Sequence, residues 1–340
     1  MTTTPPAEQR TQPRLDDLKP GDSGPQKTLA LTRTEFVRYA GASLDLNPMH
    51  HDDTVATAAG MPSVFGHGML TAGFLAGAVT DLVGLDALRR YEVRFTKQAW
   101  PGRELHTEIE VRDARREGSR TEVGLACRVV DDEGAEVLTA TATASRVDDG
   151  SPLADKTGKE EERPAVPNQE PATVADLTGV RLPSEVIAIE RGPVQNFAVA
   201  THNDDPVYRS VTEAALRGFG HIPVPPTYLF VANGLGAFDD EQPLQTGPAM
   251  TLVELIAALR RCAGGKGMIL HGSQAFDYHD AVWVGDVLES EGYVEVAETK
   301  ASKGDVPGMS VLVVRTDFRR RDNARPVATL RSTFLFRARA

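Results

Sequence analysis

"YAGASLDLNPMHHDDTVATAAG", residues 39–60, can be laid without a gap on "FAVATHNDDPVYRSVTEAALRG", residues 197–218, at an offset of 158. Tyr39 falls on Phe197, Ala40 on Ala198, Pro48 on Pro206, Ala56 on Ala214 and Gly60 on Gly218. At the same offset His67-Gly68-Met69 meets Pro225-Pro226-Thr227. Further on, "FTKQAWPGREL" from Phe95 matches "YHDAVWVGDVL" from Tyr278, now at an offset of 183. The second half therefore carries 25 extra residues before that point. Three blocks in one order, with chemically similar residues in register, mark an internal duplication.

The pattern around these blocks gives the fold class. "GMLTAGFLAGAVTDLVGL", residues 68–85, is apolar on all sides, too short for a membrane span and interrupted by Asp81; it reads as a buried helix over 68–83. A counterpart is expected at roughly 226–237. Segments of period-two alternation follow each helix. In the first half they are "HTEIEVRD", "TEVGLACRVV" and "EVLTATATASRV"; in the second, "VLESEGYVEV", "SVLVVRTDF" and "PVATLRSTFLF". One apolar helix followed by long alternating strands predicts an α+β fold in which an antiparallel sheet curls around the helix, made twice. Residues 149–174, rich in Pro and charge, read as the linker between units at 15–148 and 175–340, and residues 1–14 as a disordered tail.

Composition narrows the function. The net charge is −11, with no compensating basic block, which argues against nucleic-acid or anionic-membrane partners. Arg89-Arg90 and Arg319-Arg320-Arg321 read as solvated faces. The 2 cysteines, Cys127 and Cys262, show no metal-binding or disulfide spacing and read as buried, reduced thiols in a cytoplasmic protein.

Chemistry concentrates in the first copy. Asp45, Asn47 and His50 lie within six residues, with Pro48 restricting the backbone between them. A carboxylate and an imidazole so placed can share a water, one taking its proton while the other delivers a proton to substrate. Asn47 can orient either group. Asp52 reads as the cap of a helix starting near Thr54, and His51 as a bystander. In "FGHGML" the N–H of Gly68, at the head of the buried helix, is placed to meet developing negative charge; His67 reads as a loop anchor. At matched positions in the second half these functions disappear together. Asp45 becomes Asn203, His50 becomes Tyr208 with an ordinary pKa of about 10, and Gly68 becomes Pro226, which has no N–H. One copy reads as a working site and the other as a shell that kept the fold.

These residues resemble the MaoC-like hydratase/dehydratase family of (R)-specific enoyl-CoA hydratases, whose signature runs D-x-N-P-x-H-x-D followed by H-G-M. Here it stands as Asp45-Leu46-Asn47-Pro48-Met49-His50-His51-Asp52 and His67-Gly68-Met69. The second half, with "FAVATHNDDPVY", "PVPPTYLF" and "LHGSQAFDYHDAVWVGD", looks like a degenerate dehydratase half of the fatty-acid-synthase type. The resemblance implies a double hotdog, two antiparallel sheets each wrapped around a central helix. It implies hydration of a trans-2-enoyl-CoA to a (3R)-hydroxyacyl-CoA, or the reverse, on a bulky or long acyl chain. Asp45 and His50 would activate water, Asn47 would support them, and Gly68 would form the oxyanion hole. Neither a metal nor a redox cofactor is implied, CoA entering only as part of the thioester; dimerisation of double hotdogs is common in the family. The alternatives are a 3-hydroxyacyl-carrier-protein dehydratase and a hotdog acyl-CoA thioesterase, since a fold does not fix an activity.

Overall fold

The computed structural model describes residues 15–147, 163–167, 169–238, 242, 248–265, 267–301 and 308–338. The tail expected at 1–14 lies outside these residues, as does most of the linker expected at 149–174.

Every alternating segment forms a strand. In the first half β1 (Thr28–Ala30) is followed by α1 (Arg33–Ser43), α2 (Asp53–Ala58) and α3 (Gly68–Val83), then β2 (Leu88–Phe95), β3 (Glu104–Glu117), β4 (Arg120–Asp131) and β5 (Glu136–Val147). The second half repeats the order with β6 (Glu185–Ala188), α4 (Arg191–Ala200), α5 (Val211–Leu216), α6 (Ala232–Gly236), α7 (Leu252–Cys262), β7 (Gly267–Tyr278), β8 (Val287–Lys300), β9 (Met309–Arg320) and β10 (Pro326–Ala338). Burial alternates along β3 and β4, so one face of the sheet packs inward. α3 lies against β2, β3, β4 and β5, and Tyr91 of β2 donates its hydroxyl to the Ala72 carbonyl at 2.8 Å.

The two sheets meet edge to edge as one ten-stranded sheet, in the order β1-β3-β4-β5-β2-β7-β10-β9-β8-β6. At the junction Glu92 pairs with Ala275, the very residue that the offset of 183 makes its counterpart. Tyr39 of α1 and Phe197 of α4, counterparts at the offset of 158, face each other with ring centroids 6.0 Å apart. Both pairs sit on an internal two-fold axis, and buried residues of both halves share one core around it.

The helix expected at 226–237 is shorter than its partner. After Pro225 and Pro226, only a 3-10 turn at Tyr228–Phe230 and the five-residue α6 form among the described residues. The extra residues of this half include α7, opened by a capping box of Thr251 and Glu254. Its Leu255, Ala258 and Leu259 close a second core over β8, β9 and β10. Two smaller expectations also change. Cys127 is buried, but Cys262 is only half-buried; both are free. Arg320 is no solvated residue: its guanidinium is 13% exposed and bonds Asp286 at 2.9 Å, so burial of the strand end recruits it as an ion-pair partner.

Candidate active site

α1 ends on Leu44 in the left-handed region, φ 57°, which turns the chain sharply and drops Asp45 beside the helix. Its counterpart His202 has φ 55°, so both copies make the same turn. Beyond it Asn47 caps a 3-10 turn at Pro48–His50 by accepting from the Met49 N–H. Asp52 caps α2 as expected, accepting from the N–H groups of Thr54 and Val55. Asp53 binds Arg33 and the Val64 N–H, tying the loop to α1 and to the segment before α3. The polar spacing of the motif is thus a chain of caps that fixes a loop without secondary structure of its own.

The structure brings Asp45, His50 and His67 together: one ligating atom of each lies within 4.8 Å of the others. His50 is buried, and its Nδ1–H donates to the Phe65 carbonyl at 2.7 Å. That bond fixes the tautomer and leaves Nε2 with a free lone pair. Burial is the main influence lowering the pKa of His50; the Phe65 bond and Asp45 oppose it. His67 stacks on His50 with centroids 3.8 Å apart and 33° between planes, and its Nε2–H donates to the Asp45 backbone carbonyl at 3.1 Å. It therefore anchors the loop that carries Asp45. Burial, then His50, push its pKa down to about 4, so it stays neutral. Its Nδ1 is buried without a hydrogen-bond partner.

Asn47 acts differently from expectation. Its backbone N–H donates to the Asp45 carboxylate at 3.3 Å, whereas its side chain serves the turn. Gly68 is the first residue of α3, where N–H groups have no intrahelical partner, and His67 offers no side-chain cap. A Cβ there would come within 2.9 Å of the Phe95 ring, so only glycine keeps this N–H approachable. A carboxylate and a neutral imidazole with a free nitrogen thus meet beside His67, whose next residue, Gly68, carries the helix-end donor. The set can exchange protons with a small molecule beside a polarised carbonyl.

In the second copy the matched positions hold Asn203, Tyr208 and Pro226. Asn203 is buried and donates to the Thr201 hydroxyl at 2.7 Å and the Gly73 carbonyl at 3.4 Å, so the former acid position now clamps α3. Tyr208 is buried against Thr80 of α3. Two site neighbours went unread in the sequence. The Tyr39 hydroxyl is buried without a partner, with its pKa raised by burial and then by Asp45; its mark was that Phe197, its counterpart, lacks the oxygen. His271 of β7 reaches the site from the other half; no periodicity announces a side chain arriving across a sheet junction.

Comparison with known proteins agrees with the fold. The family described as "MaoC like domain" matches residues 19–133, and the one described as "FAS1-like, dehydratase domain region" matches residues 176–330. A fatty acid synthase beta subunit of Emericella nidulans is 33% identical over 103 residues; the match spans 29% of this chain and only 5% of that protein. A MaoC domain dehydratase of Chloroflexus aurantiacus superposes over 100% of both chains with a TM-score of 0.62 at 14% identity. A double-hotdog protein of Mycobacterium tuberculosis does so over 95% of this chain and 98% of its own, at 0.63 and 18%. The chain thus has the double-hotdog fold, with a first half that matches the MaoC-like domain family and a second half that matches the FAS1-like dehydratase region.

Proposed function

We propose that this member of a hydratase/dehydratase family adds water to the C2–C3 double bond of a trans-2-enoyl-CoA, giving a (3R)-hydroxyacyl-CoA, or runs the reverse elimination. The observation that carries the reading is the meeting of Asp45 and His50 beside His67, the residue before the helix-end N–H of Gly68, with Asp45, His50 and Gly68 each replaced in the other half. Water held between Asp45 and His50 gives its hydroxyl to C3, and the proton it loses passes through the pair to C2. The Gly68 N–H meets the charge that develops on the thioester oxygen. Asn47 holds the Asp45 carboxylate through its backbone N–H. No metal or redox group enters this scheme. In this reading the first half does the chemistry and the second shapes the room for a bulky or long acyl group. Free cysteines fit a cytoplasmic setting.

The likeness to a fatty acid synthase subunit favours one second reading, dehydration of a 3-hydroxyacyl group on a carrier protein. The test is a panel of enoyl thioesters of rising length and bulk, offered on CoA and on carrier protein, followed by loss of the conjugated enoyl absorbance. Hydration of the CoA series supports the first reading, and turnover confined to the carrier series the second. Release of free thiol without hydration would show a thioesterase instead.

A further inference from the structure

His271 belongs to the second half but faces the first half's site. Its ring lies 4.9 Å from that of Phe95, the ring that a side chain on Gly68 would strike. Phe230 and Phe334 stack on it at 5.5 Å and 5.3 Å, with 18° and 25° between planes. Among the described residues its Nε2, although buried, has no hydrogen-bond partner. The Ser273 backbone and the Gln274 side chain hold the ring, and with Nε2 unpartnered those bonds fall to Nδ1. Burial pushes its pKa down to about 4, so the ring is neutral and Nε2 offers a lone pair only. A buried polar atom left without a partner is costly and calls for a reason.

The internal two-fold supplies one. Gly272 is the extra residue of a bulge in β7, since Ser273 pairs with Thr333 and His271 with Phe334. The first half has the same bulge at Arg89, between Leu88 paired with Ala144 and Arg90 paired with Thr143. Leu88 is therefore the counterpart of His271, aimed by the same kink. Leu88 lines a cleft whose walls include Pro226, Tyr278 and Trp283, the counterparts of Gly68, Phe95 and Trp100. The fold thus directs this position into both clefts. The vestigial cleft receives leucine, and by the same symmetry the first half's site would receive His271, whose Nε2 is unpartnered.

We propose that His271 is a specificity-determining residue whose Nε2 accepts a hydrogen bond from a hydroxyl carried on the acyl chain of the substrate. The inference rests on the hydro-lyase reading and names its substrate class: an enoyl thioester with a hydroxyl group on the chain beyond the reacting carbons. An acceptor-only nitrogen among phenylalanine rings selects a neutral donor, because an ammonium group would be stripped of water there without a counter-charge.

The test uses the full chain with a medium-chain trans-2-enoyl-CoA and analogues carrying one hydroxyl at successive carbons beyond C3. The wild-type protein should favour at least one hydroxylated analogue in kcat/KM by about tenfold, the value of one hydrogen bond. His271→Leu, which installs the residue the fold already holds at Leu88, should erase that ratio, and His271→Gln, which keeps an acceptor, should retain part of it. Thermal melting of His271→Leu should rise, since the unpartnered nitrogen is gone. A wild-type ratio near one at every position, or a ratio unchanged in His271→Leu, overturns the proposal. If no thioester in the panel is hydrated by the wild type, the hydro-lyase reading itself fails, which is a separate result.

Discussion

His50 and His67 divide two tasks between stacked imidazoles. One keeps a nitrogen free, and the other holds the loop. Asp45→Asn and His50→Ala should each lower hydration by about 10²–10⁴-fold with the fold intact, as checked by initial rates and circular dichroism. Tyr208→Phe should leave rates near the wild type, because that phenol packs on Thr80 in the other half. If His50 acts as the proposed base its neutral form is the active one, and since burial keeps its pKa under the ordinary 6.5 the rate should fall only as pH drops below that value. Stability follows the same sign. His67 and His271 titrate near 4 in the fold but near 6.5 when unfolded, so the unfolded chain takes up protons first. Denaturant melts should show full stability above about pH 6.5 and a decline as pH falls toward 4, less steep in His271→Leu. The motif itself was legible in the sequence, because acid, base and caps lie close along the chain. Tyr39 and His271 were not, because their place depends on packing across the two-fold.

At the scale of elements, α3 is defined by what its glycines allow. Gly68→Ala should force the Phe95 ring aside and lower turnover about tenfold or more, measured with the same thioester panel. Gly77 faces Asn203, and a Cβ there would lie 2.0 Å from its Oδ1. Gly77→Ala should cost about 1–3 kcal/mol of stability through overpacking, read from urea midpoints. The span of α3 was plain from an apolar run bounded by glycines. Its counterpart breaks into a 3-10 turn and the short α6, a break the apolar run does not mark, and the extra residues build α7 elsewhere. The capping box Thr251-x-x-Glu254 before "LIAAL" was the available signal for α7.

For the whole molecule, the decisive contact is β2 with β7, which makes the halves one sheet around one core. The duplication read from sequence foretold two hotdogs. That their edges join was not legible, since strand order across a junction leaves no periodic trace. A chain cleaved between residues 149 and 162 should therefore run as one particle in size exclusion, held by that strand pairing. The outer ends of the sheet carry a different consequence. They are closed by β1, of 3 residues, and β6, of 4. Edges that short offer too few free N–H and C=O groups to seed further strands. Growth of the sheet stops at ten, and any second copy would have to be met through side-chain surfaces instead of backbone ladders.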